Sequence, residues 1–148
     1  MGQQQLLLLV LGIVIVGLAV VVGIQAFSEN QKKANADALV NDVIRIASDA
    51  QAWKLKPQAF GGGANVNGWE NLSLQQLGYT VGNNDYTAHT AEDDEYENLN
   101  GTFEISNAGG TLTIIATSYD SDDVPINVVR TTVDGTEPGD INTLITNS

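Results

Sequence analysis

Residues 6–24 read LLLLVLGIVIVGLAVVVGI, nineteen consecutive residues that are all apolar or glycine. At ~1.5 Å rise per residue such a helix reaches about 28 Å, close to the ~30 Å hydrocarbon thickness of a bilayer. A helix that is apolar on every side must be covered on every side, by lipid or by protein. The rest of the chain is polar, acidic and rich in Asn, Thr and Gly, too small a domain to enclose it. The near-zero mean hydropathy of the whole therefore averages two unlike parts.

Working outward, the N-terminal flank is Met1-Gly2-Gln3-Gln4-Gln5. It lacks the basic n-region of a secretory signal, and the apolar run exceeds a signal core. Leu6 stands where N-myristoylation at Gly2 would require Ser or Thr. The nearest basic residues, Lys32 and Lys33, lie C-terminal to the span. The positive-inside rule alone would hold them in the cytoplasm, but the acidic, Thr/Asn-rich remainder is expected outside.

On the C-terminal flank no Pro occurs before Pro57 and no Gly between Gly23 and Gly61. Leu39, Val43, Ile46, Ala50 and Trp53 recur at spacings of four and three, widened by Ala36, Val40, Ile44 and Ala47. Asp37, Asn41, Asp42, Arg45, Asp49 and Lys54 lie mostly off that stripe, the pattern of an amphipathic helix. Pro57 and Gly61-Gly62-Gly63 end it. The reading is one helix from about residue 3 to about residue 55, roughly 75–80 Å long. The alternative is a break near Gly23–Ser28.

Residues 57–148 carry strand signals. Thr102–Ser106 and Thr111–Thr117 flank a turn at Asn107-Ala108-Gly109-Gly110; Ile126–Val133 is a third strand and Asn142–Thr146 a fourth. Leu72–Leu77 predicts a short helical turn with Asn71 or Ser73 as cap. Tyr79–Asn98 and Ser118–Pro125 are expected as exposed loops, and the aromatics Trp53, Trp69, Phe60 and Tyr79 as packing residues. The predicted fold is α+β: a long N-terminal helix packed on a small antiparallel sheet. Its parts are an apolar helix (1–28), an amphipathic continuation (29–56) and an acidic β-rich head (57–148).

The formal charge is −12, with 6 Lys+Arg against 18 Asp+Glu. Lys32-Lys33 and Lys54-Leu55-Lys56 are the only basic clusters, so nucleic acid is not an expected partner. No cysteine is present, which excludes disulfides, thiolate metal sites and thiol nucleophiles. The single histidine, His89, stands in a polar stretch, and no catalytic constellation surrounds it. No enzymatic activity and no cofactor are expected. Asp120, Asp122 and Asp123 are the candidate Ca²⁺ ligands, though they lack the Gly and the distant Glu of an EF-hand. Glu92-Asp93-Asp94-Glu95 with Glu97 is a second acidic run, read as solvated surface. Asn71-Leu72-Ser73 and Asn100-Gly101-Thr102 match the N-glycosylation sequon.

An uncharged spine, an amphipathic continuation and a small antiparallel sheet together resemble the type IV pilins and their relatives. The resemblance covers the whole chain and is sharpest over residues 1–56. It implies a subunit that sits in the inner membrane before the assembly machinery packs it, with copies of itself, into a surface filament for adhesion, motility or display. The spine positions it assigns to assembly are Met1, Gln5, Leu6, Leu9, Gly12, Ile13, Val16, Gly17, Val20, Gly23 and Ile24. It implies processing after Gly2, or removal of a leader ahead of Met1. Gln5 replaces the Glu usual at the fifth position of the family, and the family's disulfide-closed loop is absent. Other readings of the same pattern are a pseudopilin or minor pilin of a secretion system, and a monomeric membrane-anchored binding domain.

Overall fold

A computed structural model describes residues 2–80, 95–108 and 110–147. One helix, α1, runs unbroken from Gly2 to Leu55. Gly12, Gly17 and Gly23 each cost a helix about 1 kcal/mol relative to Ala, but they are separated by strong helix formers and do not break it. The chain divides into two units, Met1–Ala34 and Asn35–Ser148, and α1 belongs to both.

In the second unit α1 packs on a five-stranded antiparallel meander: β1 (Glu95–Asn98), β2 (Gly101–Ala108), β3 (Thr111–Tyr119), β4 (Pro125–Val133) and β5 (Ile141–Asn147), in that spatial order. Leu39, Val43, Ile46, Ala47, Ala50 and Trp53 are buried against Phe103, Leu112, Ile114, Ala116, Val129 and Val133. Alternate residues of β3 and β4 face this core, as a half-covered antiparallel sheet requires. Ile44, expected to widen the stripe, is 42% exposed. Five residues from Leu39, it is turned about 140° around the helix.

After α1 the chain folds back on the helix end. Gly63 lies against Trp53 so closely that a Cβ would stand 2.1 Å from the indole ring. The Lys54 ammonium donates to the carbonyls of Val66 and Gly68, holding the loop to the helix. Leu72–Leu77 winds through one short turn, as expected, in which the Gln76 and Leu77 amides donate to the Ser73 carbonyl, and it goes no further. The segment is too short to repay helix nucleation, and Gly78 at φ 89° leads the chain away. Ser73 is cap-like there: its hydroxyl accepts from the Gln76 amide at 3.3 Å. Trp53 and Trp69 are core residues, whereas Phe60 is 73% exposed and does not pack.

Two expected loops are shorter than read. Glu95–Asn98 is strand, not loop, because Tyr96 stacks against Phe103 and Tyr79 at 5.6 and 5.0 Å between ring centroids. Ser118 and Tyr119 continue β3, and Pro125 opens β4, where its missing N–H is tolerated. Residues 81–94 of the first of these loops lie outside the described residues.

Polar bonds close both ends of the helix–sheet seam. Asp42 accepts from the side-chain amides of Asn98 (2.9 Å) and Asn100 (2.7 Å). Asn98 in turn accepts from the backbone amides of Asn100 and Gly101, which shapes the β1–β2 turn. Buried Gln51 donates to the carbonyls of Gly135 and Glu137. Replacing Asp42 by Ala leaves two amides without their acceptor. It is expected to destabilise the head by about 1–3 kcal/mol. Urea unfolding followed by fluorescence checks this; an unchanged midpoint would show that the seam contributes nothing.

Tyr79 donates its hydroxyl to Asp49 at 2.6 Å. Burial first, then this bond and the Asp49 charge, raise the phenol well above its ordinary value of 10. The neutral phenol is thus favoured in the folded state. Its contribution to stability is complete below the ordinary range and is lost as pH rises from there towards the folded value. An ultraviolet titration should show a late-ionising tyrosine that vanishes in Tyr79→Phe. The variant's stability should fall less steeply in alkali. A wild-type titration without that late step would contradict the assignment.

Candidate functional site: an apolar helix exposed on all sides

From Gly2 to Ala34 every residue of α1 is exposed. Among the described residues nothing covers the span, and α1 is long and apolar enough to cross a membrane. The first charged residue is Glu29. Of the positions assigned to assembly, Leu6 (65%), Leu9, Ile13, Val16, Val20 and Ile24 (65%) are all open. Gln5 is exposed as well, and Met1 lies outside the described residues.

The glycines define the geometry of this surface. A Cβ added at Gly2, Gly12, Gly17 or Gly23 would meet nothing within 4 Å, so none is required by packing within the chain. At about 100° per residue, Gly12 and Gly23 lie within about 20° of one another around the helix and Gly17 about 140° away. Ala19 joins the Gly12 and Gly23 face, and its four-residue spacing from Gly23 is that of a small-residue pairing seam. Gly17 opens a second notch on another face, an arrangement suited to more than one neighbour.

No protein-family model matches the chain, and neither a curated protein nor a solved structure matches it. The site is therefore read from its own chemistry: an uncharged apolar cylinder with two notched faces, continuous with a half-covered helix.

The acidic candidates behave differently from one another. Asp120 Oδ1 accepts from the backbone amides of Asp122 and Val124, both at 2.9 Å, and Asp123 takes φ 58°. The loop is thus an Asx turn closing the β3–β4 hairpin. Among the described residues no group of three or more His, Asp or Glu side chains is placed to hold a metal ion. Glu95 and Glu97 lie on β1; His89, Glu92, Asp93 and Asp94 lie outside the described residues. Of the two sequons, Asn71 is exposed at φ 66°, whereas the Asn100 side-chain amide is engaged by Asp42.

Sequence reasoning did not single out Asp42 or Gln51. Their partners stand 56 to 86 residues away. The one available signal was Gln51 itself, a polar residue one position beyond Ala50 on the buried stripe.

Proposed function

We propose that this chain is the structural subunit of a type IV pilus-like surface filament, held in the inner membrane by its spine until copies pack together. One observation carries the reading. The apolar helix is exposed on every side over its first part and passes without interruption into a stretch covered by the chain's own sheet. A simple anchor needs the first property but not the second, and would usually pass into a flexible linker. A helix that is continuous through both joins each head directly to the spine that would pack in a common core. The two notched faces give each spine room for more than one neighbour.

In this reading the copies are one another's principal partners, and the assembly machinery extracts them from the membrane. The acidic head faces solvent and serves adhesion, motility or display. The test is negative-stain microscopy of material sheared from cells that express the chain, with antibody labelling of the head. Labelled thin filaments are expected. Label confined to membrane vesicles, with no filaments at any expression level, would overturn the filament-subunit reading.

A further inference from the structure

The two edges of the sheet are built differently. β1 is four residues long and carries Glu95 and Glu97, so it is short and charged. Among the described residues β5 forms the other edge, paired on one side only, with β4. Its seven residues, INTLITN, contain no charge and no Pro. Leu144 is 64% exposed and Ile145 50%. Natural edge strands are usually blunted by charge, Pro, bulges or shortness, because their free N–H and C=O groups otherwise recruit another strand. β5 has none of these devices. The backbone ladder determines what fits it: an extended strand.

We propose that β5 is where a second copy of this chain pairs, strand to strand and antiparallel, with Leu144 beside Leu144. Three features favour a second copy. All 18 Asp and Glu except Glu29 lie in residues 35–148, so two heads repel wherever charged surfaces meet. The β5 edge is a neutral strip through which they can approach. The strand is also self-complementary. Full overlap of residues 141–147 places Leu144 opposite Leu144, Thr143 opposite Ile145 and Asn142 opposite Thr146, with no like charges facing. Parallel pairing would instead set Asp140 beside Asp140. Finally, an apolar helix confines copies to one membrane. That raises their effective concentration enough for a small contact to count.

The inference needs copies to be neighbours but does not need them to polymerise. In β4–β5 register Arg130 lies beside Leu144. Its two copies would be separated by both β5 strands, about 14 Å at ~4.7 Å per strand, so solvent and salt screen them.

Because the chain has no cysteine, a single introduced thiol reports the contact cleanly. Full-length Leu144→Cys in cell membranes, oxidised with copper phenanthroline, is expected to run largely as a dimer on a non-reducing gel. Glu97→Cys on the opposite edge should stay monomeric. Adding Ile145→Glu to Leu144→Cys charges the neutral strip and should reduce the dimer several-fold. Equal cross-linking at positions 144 and 97 would reveal random collision and overturn the proposal. So would an oligomer ladder that appears only when both cysteines are present, since β5 would then meet β1. Micrographs of the same cells report filaments separately. Normal filaments without the 144 cross-link reject this contact alone, and a 144 dimer without filaments rejects only the filament reading.

Discussion

If the proposed filament forms, Val14→Asp is expected to abolish it, with the head still folded. Val14 lies in the middle of the uncharged run and is 52% exposed. A carboxylate at the centre of a spanning helix costs about 2.5–3.5 kcal/mol on insertion alone. In a packed filament core it would face apolar neighbours and no cation, since the nearest basic residues are Lys32 and Lys33. Gly17→Leu is expected to be the next most damaging change. A Leu fits the free chain without a clash, because nothing lies within 4 Å of the added Cβ. Its harm must therefore come from a neighbouring copy. Gln5→Ala removes only a neutral hydrogen-bonding group and should cost about 0.5–1.5 kcal/mol at most. Surface filaments counted at matched membrane levels of subunit rank the three. The expected order of damage is Val14→Asp, then Gly17→Leu, then Gln5→Ala. Filaments lost in Gln5→Ala and kept in Gly17→Leu would mean that a polar N-terminal contact, not spine packing, controls assembly.

How much of this could be read from the chain depended on the range of the interactions. The helix was legible because its signals are local: an uninterrupted apolar run, no Pro before Pro57, and Leu39, Val43, Ile46, Ala50 and Trp53 at helical spacing. β3 and β4 were legible for a similar reason, since TLTIIAT and INVVRTTV are rich in β-branched residues. β1 was not. EYEN has weak strand propensity, and its pairing follows from Tyr96 stacking on Phe103 and from Asn98 shaping the turn into β2. The Asp120 loop shows a different failure. Spaced carboxylates fit a cation site and an Asx turn equally well by sequence. Only the backbone shows one Asp120 oxygen already taken by two amides. The exposed spine was legible in composition, but the freedom of Gly12, Gly17 and Gly23 from contacts within the chain required the structure.

Phe103→Ala should be the most destabilising single truncation in the head. Phe103 is fully buried on β2, between Tyr96 on β1 and Ala116 on β3 in register. Its opposite neighbour on β3 is small, so no large side chain there can relax into the space left behind. Phe→Ala truncations of this kind cost about 3–5 kcal/mol, against a total of about 5–15 kcal/mol for a typical domain. The loss also removes the support for Tyr96, and with it the stacking that holds β1 to β2. Leu99→Ala is the matched control: Leu99 is fully exposed in the β1–β2 turn, and its loss should fall within about 0.5 kcal/mol of zero. Both tryptophans, Trp53 and Trp69, are buried in the head. Their fluorescence during urea unfolding of the full chain in detergent therefore reports the head and not the spine. Membrane insertion of Phe103→Ala should remain normal, the reverse of the Val14→Asp result. A Phe103→Ala head that loses less than about 1 kcal/mol would mean that the sheet is not seated on α1 through this residue. The helix face from Leu39 to Trp53 would then need another cover.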